Sequence, residues 1–516
     1  MPIDRYRAFG LMLFAMGWTN AAVAEAPLSA IDWLSQSIVT PAAQPLPRVS
    51  EPAVVKGGVV PGEVTTSTLD KASPDAVGIL APEVTGLPRN LWGMGLSTDI
   101  AATLGRERVQ DLPALQGLMI TLLLAEADPP ADAGSDGKVL LARIDALLAM
   151  GALDQARALL DATGPATSPE IFRRFFDVAL LIGDEPHACE ALKSAPGLSP
   201  SVPVRVFCLA RAGDYDTAYL TLDTAVAIGS VEAGDATLLT RFLDPSLDDN
   251  GATLQPKGPM TPLTMRLFEA IGQPLPLATL PIAFSYADLS ENAGWKAQIE
   301  AAERLSRAGA VSPNLLLGLY TQQKPAASGG VWDRVTTFQK LDHAVTAADL
   351  PAVEQTLPAA WSVMAGSELE VPLAGLYADR LMKMALTGEA ADIAFELGLL
   401  SSDYEAFATV RKATSPQESF LIGVAKGDLT GVVAPDGMAR AIAAAFVSPA
   451  VPDTLAPLFD QKRIGELILN AVDLINHGTT GDLRGVTDGL SVLRKIGMED
   501  VARRTALQLI LLDRRG

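Results

Sequence analysis

Between residues 140 and 225, apolar side chains recur in steps of three and four, the spacing that places them on one face of an α-helix. Leu140, Ile144 and Leu147 stand eleven, seven and four residues before Gly151, and Phe172, Phe176 and Ala179 hold the same places before Gly183. Val202, Val206 and Leu209 do so before Gly213. Beyond each glycine, Ala156, Ala188 and Ala218 follow at five residues and Leu160, Leu192 and Leu222 at nine, with Ala195 and Ala225 continuing the last two stripes. The pattern predicts a helix, a turn at the glycine and a second helix. Glycine suits that turn because it accepts the left-handed backbone that closes a helix, and the small alanine lets the two helices cross closely. The glycines are 32 and 30 residues apart. Neither helix of such a unit buries its apolar face alone, so the units are expected to stack.

The stretch Gly213-Asp-Tyr-Asp-Thr-Ala218, with Leu222 and Ala225, resembles the turn and second helix of the tetratricopeptide repeat, and Ala188, Leu192, Ala195 and Pro196 fit the same positions. The first helices lack that family's Trp and its Leu-Gly pair. Two weaker units follow: Tyr377, Leu381 and Met384 before Gly388, with Ile393 in the alanine's place, and Val486, Leu490 and Leu493 before Gly497, with Ala502 where expected. The units cover about a third of the chain. The resemblance implies an all-α, helical-hairpin solenoid whose grooves hold segments of other proteins.

The rest of the chain changes this picture at its start. Arg5 and Arg7 precede an uncharged apolar run of eleven residues, Ala8 to Trp18, and Ala22-Val23-Ala24 then offers small residues where a signal peptidase reads. The run is too short to cross a bilayer comfortably, and no cysteine follows to take a lipid anchor. A signal peptide over 1–24, cleaved after Ala24, is expected, leaving an exported protein, periplasmic or secreted. Residues 25–40 hold a short amphipathic motif in which Ile31, Leu34 and Ile38 share a helical face with Trp33 beside it. It either binds a partner or docks onto its own chain. Prolines then recur from 41 to 88, so 41–90 reads as a tether or an extended strap, with Leu91, Trp92 and Met94 apolar enough to dock. A helical repeat lobe is expected over 91–243, a linker over 244–262 and a second helical lobe over 263–516. Leu112 to Ala125 is uncharged, but it contains Pro113 and is too short for a membrane span, so no integral span is expected after cleavage.

Charge and chemistry narrow the function. Sixty acidic against 40 basic residues give a net charge of −20, which argues against nucleic acid and anionic lipid and is compatible with a basic partner. The two cysteines, Cys189 and Cys208, each lie seven residues from an end of the connection Pro196–Ser201. That places them at one level of an antiparallel helix pair and predicts a disulfide, which an oxidising compartment permits. Closing so short a loop stabilises a fold by about 3 kcal/mol in the chain-entropy model. The three histidines, His187, His343 and His477, are far apart, and His187-Ala-Cys189 lacks a second ligand pair. No phosphate loop, dinucleotide fingerprint or nucleophile elbow occurs, so no catalytic residue, metal or cofactor is expected. Pro416-Gln-Glu-Ser-Phe420 looks like the Glu-Ser centre of the lytic transglycosylases, without the Gly-Leu-Met-Gln that follows it there; Leu421-Ile-Gly-Val stands instead. The sequence therefore reads as an envelope adaptor or scaffold that binds protein or peptide partners and is not an enzyme. The alternatives are a peptidoglycan-acting protein using Glu418 and a structural subunit of an envelope machine. N-terminal sequencing of the protein recovered from a periplasmic extract is expected to start at Glu25; a chain that stays in the cytoplasm with Met1 or Pro2 at its end would contradict export.

Overall fold

The structure, a computed structural model, describes residues 73–106, 112–244, 246 and 253–512. The first described segment is a strap that holds a 3-10 turn at Pro74–Ala76 and a one-turn helix at Pro82–Thr85. Ile79 and Leu80 both donate to the Leu124 carbonyl, and Glu126 donates back to Leu80, forming an isolated parallel bridge between Leu80 and Ala125. A Cβ on Gly78 would sit 2.4 Å from the Ala125 oxygen, so only glycine permits this approach. The strap leads into α1 (Ser97–Arg106) and α2 (Pro113–Leu124). Nine of the twelve residues of α2 are buried, and only the narrow stripe of Pro113, Gly117 and Thr121 is left open.

The expected hairpins follow. Helices α3 (Lys138–Ala149) and α4 (Leu153–Thr163), α5 (Pro169–Ile182) and α6 (Glu185–Ser194), and α7 (Val202–Arg211) and α8 (Tyr215–Ala227) turn at Gly151, Gly183 and Gly213. All three glycines are left-handed, with φ of +74, +81 and +82°. Ala156, Ala188 and Ala218 are fully buried, as are Leu140, Ile144 and Leu147. Apart from Pro358, which lies inside a helix, helical prolines sit in first turns, where the missing N–H costs nothing, and at several a preceding hydroxyl caps the turn. Ser168 thus accepts from Ile171 N ahead of Pro169, and Ser415 accepts from Glu418 N ahead of Pro416. This is how a proline-rich chain stays helical.

The remaining helices of seven residues or more are α9 (Ala233–Leu243), α10 (Pro262–Ala270), α11 (Trp295–Arg307), α12 (Pro313–Gln322), α13 (Val331–Thr346), α14 (Leu350–Ala365), α15 (Glu370–Met382), α16 (Gly388–Leu400), α17 (Tyr404–Val410), α18 (Pro416–Lys426), α19 (Gly437–Val447), α20 (Ile464–Thr479), α21 (Leu483–Lys495) and α22 (Glu499–Leu511), with a 3-10 stretch at Ile282–Leu289. The fold is all-α, and no strand longer than the single bridge occurs among the described residues. The turn at Gly497 is left-handed with Ala502 buried, as the spacing requires. Gly388 differs: α15 already ends at Met382, and this glycine opens α16.

Packing is not limited to sequence neighbours. α1 lies against α3 and α20, and α2 against α3 and α22. The Gln508 side chain of α22 accepts the Ala114 N–H at the start of α2 (2.8 Å). Gly465 N donates to Leu91 O, and a Cβ on Gly465 would lie 2.5 Å from the Trp92 ring. Leu91 and Trp92 are thereby buried, whereas Met94, expected to dock with them, is 69% exposed. Beyond the expected linker, α10 packs on α5, where Arg266 Nε donates to Leu180 O (2.8 Å).

One buried cation holds the strap to the helices. Arg143 on α3 is 1% exposed and donates to Leu123 O (2.7 Å), Val77 O (2.6 Å) and Ala125 O (3.0 Å). Burial pushes its pKa down to about 10 while Asp75 pulls it back up, so it is charged at neutral pH. Asp75, also buried, accepts from Leu140 N (2.7 Å). Arg143→Met would strip three buried carbonyls of their donor and Asp75 of its cation. A loss of about 3–5 kcal/mol is expected in urea unfolding; a loss under about 1 kcal/mol, the scale of an exposed ion pair, would contradict this role.

Candidate functional site

Three helices leave a polar cleft where α12, α13 and α15 meet. A hollow of about 590 Å³ lies between the end of α12, Gln323 and Lys324 beyond it, and the last turns of α13. It continues into a recess of about 330 Å³ that reaches α15. Thr321, Asp342 and Thr346 line both parts.

The cleft is braced from behind. Tyr377, almost fully buried, donates its hydroxyl to Asp342 Oδ1 (2.8 Å). Burial first, and then the Asp342 carboxylate, push the Tyr377 hydroxyl well above its ordinary pKa, so it remains a donor. Gln339 Nε2 donates to Tyr320 O (2.7 Å) and Gln323 O (2.6 Å), tying the end of α12 to α13. Deeper still, Glu303 of α11 is 3% exposed and accepts from Tyr320 Oη (2.6 Å) and from Arg334 Nε and Nη2 (2.9 and 2.7 Å). This buried carboxylate links α11, α12 and α13, and the two-pronged Arg334 contact fixes their geometry.

The rim is different in character. Lys324, His343, Arg380 and Asn314 are exposed, and their side chains form no hydrogen bond or ion pair among the described residues. Such a site offers donors and two unpaired cations around one anchored carboxylate, which suits recognition of a polar chain. It contains no nucleophile held by a base. Among the described residues no group of three or more His, Cys, Asp or Glu is placed to hold a metal ion.

The residues singled out from sequence lie elsewhere. Cys189 and Cys208 form the expected disulfide, with Cα atoms 5.1 Å apart, joining α6 to α7. Ile31, Trp33, Leu34, Ile38 and the cleavage position Ala24 lie outside the described residues. His187 is exposed near the start of α6, edge-on to Phe175 and within 2.7 Å of Arg157 Nη2. His477 lies in the last turn of α20. Glu418 lies in the first turn of α18, where Arg411 and the Thr414 amide and hydroxyl bind its two oxygens at 2.5–2.7 Å. Burial raises its pKa, but the bonds from Arg411 and Thr414 outweigh this and hold it below the ordinary glutamate range. A general acid needs the reverse shift.

The cleft residues carry no sequence signature, because they come from three helices and a loop spread over 314–380 with no common period. The usable signal is the Gly329-Gly330 break, which sets α13 against α12. Comparison with protein-family models, with curated proteins and with solved structures finds no match to this chain.

The Glu418 contacts have a signed pH consequence. Its folded pKa is depressed, so its stabilisation is present above the unfolded glutamate pKa and is lost as pH falls through the folded value. Glu418→Gln is expected to cost about 1–2 kcal/mol at pH 7, with wild type and variant converging below about pH 4. Thermal unfolding across that range checks this; a difference that grows on acidification would contradict the assignment.

Proposed function

We propose that this protein is an exported helical adaptor whose cleft between α12, α13 and α15 holds an extended segment of another envelope protein. The observation that carries the reading is the contrast within the cleft. Its floor is fixed by Tyr377, Asp342, Gln339 and the buried Glu303, while Lys324, Arg380, His343 and Asn314 stand unpaired at its edge. The braced floor is pre-organised for a ligand, and the unpaired rim side chains are free to pair with one, each at an ordering cost of about 0.5–1.5 kcal/mol. The degenerate tetratricopeptide-like hairpins α3–α8 belong to the same reading, as a stacked scaffold that presents surfaces. The apolar run 8–18, the small residues 22–24 and the Cys189–Cys208 disulfide support export.

Photo-crosslinking tests this. A photoreactive residue at position 346, in living cells, is expected to give a discrete adduct with an envelope protein, lost when Arg380→Glu and Lys324→Glu are added. An adduct pattern no different from that at the exposed position Lys193 on α6 would overturn the cleft as the binding site.

A further inference from the structure

The outer face of α8 combines two features. Large apolar side chains lie open there: Leu220 is 69% and Ile228 73% exposed, while the half-exposed Tyr215 and Val226 lie on the flank nearer the buried face. In an aqueous helix such positions are normally polar. The inner face is occupied already, since Ala218, Leu222 and Ala225 are buried against α7 and α9. Leu220 points the opposite way, with Asp216 one turn before it, Asp223 and Thr224 one turn after it, and Ala227 beyond, all exposed.

The second feature is charge. From residue 212 to 240 the chain carries five carboxylates, Asp214, Asp216, Asp223, Glu232 and Asp235, and no lysine, arginine or histidine. Asp223 and Asp244 both lie close enough to Tyr219 to act on its hydroxyl. Among the cations on adjoining elements, Arg241 is half-buried in the last turn of α9 and Arg205 of α7 donates to Pro196 O. Arg211 is held by Glu185 (2.6 Å), and the Lys257 stem lies over Gly234 at the start of α9.

We propose that the outer face of α8 is a second docking surface, and that its occupant is a cationic amphipathic segment of another protein. The segment would set its apolar side chains on Leu220 and Ile228, eight residues apart on one stripe, and its lysines or arginines against Asp216 and Asp223. Charge selects this occupant over the others. A second copy of the chain would bring the same carboxylates face to face, and anionic lipid would be repelled in the same way. The surface is independent of the cleft, so the protein has two partner sites.

A labelled helical peptide of about 14 residues, built from leucine and lysine with one apolar face, is the probe, and its leucine–glutamate counterpart is the control. Fluorescence anisotropy on the full chain at about 0.15 M salt is expected to show binding of the lysine peptide alone. Leu220→Gln, and separately the pair Asp216→Asn with Asp223→Asn, are each expected to weaken it about tenfold or more. Both changes are on exposed side chains, so helix content by circular dichroism stays as in wild type. Glu190→Gln on α6 and Arg380→Glu in the cleft are expected to leave the affinity unchanged. The proposal is overturned if the lysine peptide does not bind, or if Leu220→Gln leaves its affinity intact, which would mean a general attraction to an acidic protein. Sedimentation showing a dimer that Leu220→Gln dissolves would give the face to a second copy and overturn it equally.

Discussion

A helix that must be covered on all but one narrow stripe cannot lie on a surface, and α2 is such a helix. Leu115, Leu118, Met119, Ile120, Leu122, Leu123 and Leu124 are all buried. Each contributes about 1.5–3 kcal/mol when taken from water. Their sum is comparable to the whole net stability of a typical domain, about 5–15 kcal/mol. The rest of the chain must therefore enclose α2. α3 covers it on one side, α22 returns from the far end of the sequence to cover another, and the strap at Leu80 runs beside its end. An array in which each repeat touches only its neighbours has no place for a helix of this kind.

Enclosure has a polar cost, and the charged groups of the core meet it. The strap brings backbone carbonyls inside, and Arg143 donates to three of them. The same logic recurs at the cleft, where Glu303 is buried only because Arg334 and Tyr320 saturate it. Buried networks of this sort add little net stability but are expensive to break. What they supply is fixed geometry: α11, α12 and α13 cannot slide while Glu303 holds two partners. Function then falls to the side chains these networks leave over.

Reading the sequence succeeded where a local rule applies. The left-handed glycines at 151, 183, 213 and 497 follow from helix closure, and the Cys189–Cys208 bond follows from two equal distances to one connection. Leu91 and Trp92 dock because Gly465 leaves room for an indole ring, but nothing local distinguished Met94, which stays in solvent. Gly388 matched the spacing and still opens a helix, since α15 stops five residues earlier than the period suggests. Leu112–Ala125 was legible as apolar and too short for a membrane; that its burial would draw the C-terminal helix across the fold was not, because that contact spans 394 residues. The cleft was invisible for the same reason. Its polar residues look like ordinary surface until three helices are placed together.

The proposed role of the cleft between α12, α13 and α15 is to hold a partner. Hydrogen–deuterium exchange on the protein alone, and on the protein together with a partner captured by crosslinking from position 346, tests this most directly. Slowed exchange is predicted at the amides of 314–324, 339–347 and 375–380. Unchanged exchange there, with protection confined to helices such as α16–α18, would contradict it.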